Sequence, residues 1–137
     1  MSVLLNAGSP LREHRIGSVD PESMKRMAVV LRDPNLIHLD VAEVRRLGLG
    51  DRVINQGPTN CGYVLDMLRQ AFPEGSIRSF SVRFIANVYG GDEVIAGGVV
   101  EGVIDATTER LYSCSVWLDV VGGGRALAGT ASVAVPV

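Results

Sequence analysis

Cysteine and histidine are both scarce in this chain: Cys61 and Cys114 are its two thiols, His14 and His38 its two imidazoles. Four such residues reproduce no zinc-ligand spacing, so neither a structural metal site nor a disulfide framework is expected. Long apolar runs are missing as well. Met1 to Asn6 is apolar for too few residues to act as a signal peptide, and no stretch nears the roughly eighteen apolar residues that span a bilayer. A protein of the reducing cytoplasm, with no membrane partner, is the expectation. Nor does one sign of charge dominate: thirteen basic side chains face fifteen acidic ones, for a net charge of −2. No basic run is long enough to make a patch, which argues against nucleic acid as a partner. Repeats and low-complexity linkers are also absent, and residues 1–137 read as one domain.

What the chain does have is core-forming material. Hydrophobic residues make up 47% and charged residues 20%, which excludes intrinsic disorder. A chain of this length buries roughly two thirds of the surface it exposes when unfolded.

The first half is patterned as helices. Asp20-Pro21-Glu22 places a capping carboxylate before a proline at the first helical position, and Met24, Met27, Ala28 and Leu31 follow on one face. Pro34 argues against a helix through Arg32 to Leu39. Asp40 and Glu43 can cap each other over a short helix from Val41 to Leu47, ended by Gly48 and Gly50. A third helix, about Thr59 to Phe72, carries Cys61, Val64, Leu65, Leu68 and Phe72 as a stripe that Tyr63, Met67 and Ala71 widen. A helix apolar over most of its circumference is wrapped by other structure. Pro73 and Gly75 stop it.

Beyond that helix the period becomes two. Phe80, Val82 and Phe84 alternate with Ser79, Ser81 and Arg83; Tyr112, Cys114, Val116, Leu118 and Val120 alternate with Ser113, Ser115 and Asp119. Val94 to Ile104 and Ala126 to Val135 read as further strands, with turns at Gly90-Gly91-Asp92, Asp105 to Glu109 and Gly122 to Gly124. The glycine run is a hairpin turn rather than a phosphate loop, since no helix follows it. Cys61 and Cys114 sit at apolar positions and read as core residues. Helices followed by successive hairpins indicate an α+β fold with a largely antiparallel sheet. One nearly all-apolar helix beside a sheet bent at Gly97, Gly98 and Gly102 is the hot-dog arrangement.

The stretch richest in chemistry is Arg32-Asp33-Pro34-Asn35-Leu36-Ile37-His38-Leu39-Asp40. On an α-helix Asp33 and His38, five apart, would point roughly 140° away from each other. They converge only if the backbone curls between them, which Pro34 favours. A carboxylate held against an imidazole can orient one water, take a proton from it and deliver a proton to carbon. Asp40 is fully explained as a helix cap and is not a catalytic candidate.

This stretch resembles the motif Gly-Asp-x-Asn-Pro-x-His-x-Asp of the MaoC-like family, the (R)-specific enoyl-CoA hydratases and dehydratases; Asp33, Asn35, His38 and Asp40 fall at matching positions. Gly48 followed by Ile54-Asn55-Gln56-Gly57 is similar to the family's Gly…Ile-x-His-Gly element. Phe84 to Val94, with Gly91-Asp92, is similar to its Phe-x-x-Pro-x-x-x-Gly-Asp element. The resemblance covers roughly residues 10 to 135. It implies a hot-dog fold and the syn addition of water across a trans-2-enoyl-CoA to give the (R)-3-hydroxyacyl-CoA, or the reverse. Coenzyme A is then part of the substrate, and no further cofactor is called for. Asp33 and His38 would activate water and deliver the proton, with either assignment of the two protons open. Asn35 would orient the loop or a catalytic partner. Gly57, just before the buried helix, would offer its backbone N–H to the thioester oxygen, where the helix dipole favours negative charge.

The chain departs from the motifs at Arg32, Leu36, Gln56 and Asn87, which replace glycine, proline, histidine and proline in turn. A hot-dog thioesterase, or a non-catalytic acyl-binding subunit, are the competing functions. A single such sheet has an edge that pairing would cover, so a homodimer or higher oligomer, or a heterodimer with a related chain, is expected.

Overall fold

The computed structural model describes residues 4–137. Strand β1 (His14–Ile16) is followed by helix α1 (Pro21–Leu31), a 3₁₀ turn (Leu36–His38), helix α2 (Val41–Arg46) and helix α3 (Gly57–Ala71). Strands β2 (Ser76–Phe84), β3 (Val94–Asp105), β4 (Glu109–Val120) and β5 (Arg125–Pro136) then complete one antiparallel sheet in the order β1-β3-β4-β5-β2.

The expected α+β class and hot-dog arrangement hold. Helix α3 starts two residues earlier than its apolar pattern, because Gly57-Pro58 fits a first turn in which proline's missing N–H costs nothing. Along it only Pro58, Asp66, Arg69 and Gln70 are exposed. Val64, Met67 and Leu68 are fully buried against the inward set of β4, Tyr112, Cys114, Val116 and Leu118. Each such buried aliphatic side chain contributes about 1.5–3 kcal/mol. The rings of Phe72 and Tyr112 close the far end of the helix at 5.0 Å between centroids.

The glycines of β3 do different things. A Cβ on Gly98 would stand 2.8 Å from Ser115 O and 3.4 Å from Met67 Cε, so this glycine lets α3 sit close on the sheet. One on Gly97 would meet Trp117 Nε1 at 2.7 Å, on the opposite face. Gly102 lies where the β3–β4 register shifts, the bulge expected of a bent sheet.

Helix α1 begins as read, with the Asp20 side chain accepting from Glu22 N at 2.9 Å. The reciprocal cap on α2 forms only by half. Asp40 accepts from Ala42 N at 2.9 Å, but Glu43 turns to Arg46, at 2.6 and 2.8 Å. The reason is local: the Asp40 amide is already spent on Leu36 O at 2.8 Å, closing the 3₁₀ turn. A second difference concerns Phe84. Its period-two partners Phe80 and Val82 are half-buried, while Phe84, at the last position of β2, is 57% exposed. No described helix is long and apolar enough to cross a membrane.

Candidate active site

The site is built where α1 ends. Arg32 takes a left-handed conformation (φ 51, ψ 43), and the amides of Arg32 and Asp33 fold back to Val29 O and Ala28 O at 3.2 and 3.0 Å. This is a Schellman closure, the ending for which glycine is the favoured residue. Arg32 is the one described non-glycine residue with positive φ. The glycine that the family motif carries before its aspartate thus corresponds to a turn geometry that the arginine adopts against its preference.

Two side-chain brackets shape the loop that follows. Asp33 Oδ1 accepts from Asn35 N at 3.0 Å, and Asn35 Oδ1 accepts from Ile37 N at 3.2 Å. Asn35 thus caps the 3₁₀ turn with its side-chain oxygen, and the residue is exposed. The 3₁₀ turn swings His38 inward until it is buried, and its Nε2 comes to 3.3 Å from Asp33 Oδ2. The curl required of the backbone is this short turn.

The other side of the imidazole determines its chemistry. His38 Nδ1 lies 2.6 Å from Ile54 O. A carbonyl oxygen only accepts, so Nδ1 carries the hydrogen and Nε2 is the nitrogen that faces Asp33. In the neutral ring Nε2 is a lone pair turned toward a carboxylate, so the pair suits one shared proton, or one water bonded to both members from the side. Such an arrangement can both accept and return a proton at a single point.

Ile54 also donates its N–H to Ile37 O at 2.9 Å, so this one residue clamps the motif turn through both of its backbone groups. Three residues later α3 begins. Pro58 has no N–H, and the amides of Thr59 and Asn60 both bond to Gln56 O, at 3.1 and 3.2 Å. Among the described residues the Gly57 amide has no hydrogen-bond partner, and it stands in that first turn at the positive end of the helix. The Phe84 ring stands over it: a Cβ on Gly57 would lie 3.0 Å from Phe84 Cζ and 3.2 Å from Cε1.

Sequence reasoning missed a buried polar set beside these groups. Asn55 Nδ2 donates to Asn60 Oδ1 at 2.8 Å and lies 3.4 Å from Tyr63 Oη. Burial raises the Tyr63 pKa, the Asn55 contact lowers it and Asp20 adds a smaller upward push. Gln56, read as a bare departure from the motif, is buried and donates to Met24 O at 2.8 Å, tying α1 to the start of α3. The available signal was Asn60, a polar residue amid the widest apolar stripe of the chain.

The fold is that of a hot-dog protein, with a carboxylate and an imidazole brought together in the loop after α1. Residues 5–119 match the MaoC like domain, and the chain belongs to that family of hydratases and dehydratases. A mitochondrial 3-hydroxyacyl-(acyl-carrier-protein) dehydratase of Arabidopsis thaliana is 31% identical over 109 residues, covering 80% of this chain. The chain spans 63% of that relative's own length. Among solved structures, the (R)-hydratase from A. caviae involved in PHA biosynthesis superposes with a TM-score of 0.85 at 23% identity, covering 96% of this chain and 98% of that one. The ChsH1-ChsH2 complex from Mycobacterium tuberculosis gives 0.80 at 23%, covering 98% and 99%.

Proposed function

We propose that this chain, acting as one domain, adds water to trans-2-enoyl-CoA thioesters to give (R)-3-hydroxyacyl-CoA, or removes it in reverse. The observation that carries the reading is the Asp33 Oδ2 to His38 Nε2 approach of 3.3 Å, with Nδ1 anchored on Ile54 O. One water bonded by both carboxylate and imidazole, beside their contact, gives up a proton as its oxygen attacks C3. The pair then returns a proton to C2 on the same face, so both atoms of the double bond are served from one side. Negative charge that gathers on the thioester oxygen meets the Gly57 amide. Asp33, His38 and Gly57 touch the reacting atoms; Asn35 positions the loop.

The assembly we propose is a dimer, of two copies or of this chain with a related one. Its support is β2, an edge strand with Phe84 and Ile85 exposed at and just beyond its end, and the two-chain ChsH1-ChsH2 neighbour. Sedimentation at micromolar concentration checks it, and a stable active monomer would count against it.

The test of the reaction is to incubate the purified protein with a panel of enoyl-CoA esters and follow loss of the conjugated thioester. Hydration without release of free thiol is the expected result. Thiol release with the double bond intact points to a thioesterase, and inertness toward every ester points to a non-catalytic subunit.

A further inference from the structure

The carboxylate beside His38 pulls against the tautomer that the site needs. Asp33 Oδ2 stands 3.3 Å from Nε2, so a hydrogen placed on Nε2 would find an ionised acceptor. Ile54 O, a neutral acceptor 2.6 Å from Nδ1, holds the hydrogen on the other nitrogen. The lone pair on Nε2 survives only while that oxygen keeps its place. Ile54 belongs to no strand of the sheet, and an isolated bridge to Tyr89 carries it. Two bonds make the bridge: Asn55 N to Val88 O at 2.7 Å and Gly90 N to Val53 O at 2.8 Å. Ile54 O is therefore placed by the turn 89–92. Asp92 organises that turn, its Oδ2 accepting from Tyr89 N at 2.9 Å and its Oδ1 from Arg52 Nη1 at 2.8 Å. The same nitrogen of Arg52 donates to Gly90 O at 3.0 Å, and the guanidinium lies over the Tyr89 ring, 5.2 Å from its centroid. The Asp92 side chain is 13% exposed, so both of its bonds are sheltered from water. One carboxylate thus joins the two chains of the bridge, through the Tyr89 amide on one and the residue before Val53 on the other.

We propose that Asp92, acting with Arg52, is a positioning residue for the hydration: it holds the bridge at Ile54 and so keeps the His38 hydrogen on Nδ1 and the lone pair on Nε2. This inference rests on the hydratase reading of the Asp33–His38 site, while its claim about the tautomer stands on the geometry alone. The role requires a carboxylate, because both of its partners are donors. Asparagine keeps the shape but offers a single oxygen, and its amide group would face either Tyr89 N or Arg52 as donor against donor. The bridge then loosens and Ile54 O draws back. The hydrogen moves to Nε2, where Asp33 receives it, and the imidazole can no longer take a proton from water at that atom.

The test compares Asp92→Asn with the parent by nitrogen NMR of isotope-labelled histidine and by steady-state kinetics with an enoyl-CoA ester. Spectra are taken near about pH 8.5, where an ordinary imidazole is neutral, and His14→Gln assigns the two rings. In the parent, His38 shows a protonated Nδ1 and a bare Nε2. In Asp92→Asn the hydrogen passes wholly or in part to Nε2, kcat falls about tenfold, and KM stays within about twofold. Arg52→Gln, at a half-exposed position, breaks the same bond from the other side and brings the same two changes. The double variant adds little to the worse single one. Val133→Ala is the control for loosened packing: Val133 lies against Gly75, past the end of α3 remote from His38. It lowers the melting temperature while the His38 tautomer and kcat keep their parental values. Retention of the Nδ1 hydrogen in both Asp92→Asn and Arg52→Gln overturns the proposal, however far stability falls. A tautomer shift in Val133→Ala overturns it too, since any loosening would then suffice. Should Asp92→Asn fail to fold, Arg52→Gln decides alone. The NMR arm needs no substrate, so a parent inert toward every enoyl ester removes the hydratase reading, and the spectra still support or overturn the coupling of Asp92 to His38.

Discussion

His38 is held from two sides: Nδ1 is 2.6 Å from Ile54 O, and Nε2 is 3.3 Å from Asp33 Oδ2. The first contact assigns the tautomer and the second assigns the partner. On the proposed mechanism, replacing either member should disable the same proton transfer. Asp33→Asn and His38→Ala are each expected to lower turnover by about 10²-fold or more, with circular dichroism unchanged. The double variant should cost little beyond the worse single one, because the two act as a unit. Asp40→Asn is the control: it keeps the cap on Ala42 N and should keep activity. Activity that survives Asp33→Asn but is abolished by Asp40→Asn would place the site elsewhere.

Gly57 and Phe84 make a second coupled pair. Gly57→Ala would place a methyl 3.0 Å from Phe84 Cζ, and the ring is exposed enough to yield. The fold should therefore survive, while the methyl intrudes where a thioester oxygen must approach the amide. Steady-state kinetics should show kcat/KM down by about 10²-fold, the scale of a misplacement near 1 Å. Unfolding of Gly57→Ala, or parental kcat/KM, would contradict this account.

Cys114 predicts a pH effect on stability. Burial is the main cause that pushes its thiol up from 9.0 to about 11, with a smaller contribution from Glu101. The folded state thus holds its proton more tightly than the unfolded one. The stabilisation is complete below pH 9 and is lost as pH rises toward 11, up to roughly 2–3 kcal/mol. Urea denaturation across that range should show a steeper decline for the parent than for Cys114→Ala, which starts less stable but lacks this titration. Matching slopes would refute it.

Gly129 sits on β5 opposite Val82 of β2. A Cβ there would fall on Ser81 O, a backbone atom, and lie 2.7 Å from Val82 Cα. Neither can rotate away, so Gly129→Ala must prise β2 from β5. A loss of about 3 kcal/mol or more in chemical denaturation is expected. Gly102→Ala, with nothing within 4 Å of the added carbon, is the comparison and should lose far less.

The local elements were legible in the sequence because their causes are local. Asp20-Pro21 starts α1 by capping, Pro34 bars helix through the motif, and the apolar girth of α3 with the period-two runs after it implies a helix wrapped by hairpins. The resemblance of Asp33, Asn35 and His38 to a known motif supplied the candidate pair. What the sequence could not supply were the contacts made by chain segments far apart. Strand β1 is three residues long, too short for any period, and exists because β3 offers it an edge at Val94, Ile95 and Ala96. The Asp40–Glu43 cap was half lost to Leu36 O. Phe84 left its expected inward place for Gly57, and Asn55 and Asn60 became buried because each satisfies the other. Above all, the tautomer of His38 depends on Ile54 O, sixteen residues away, through a backbone group that every residue type possesses. Side-chain identity announces which groups can do chemistry; only the packed chain decides which backbone oxygen holds them in place.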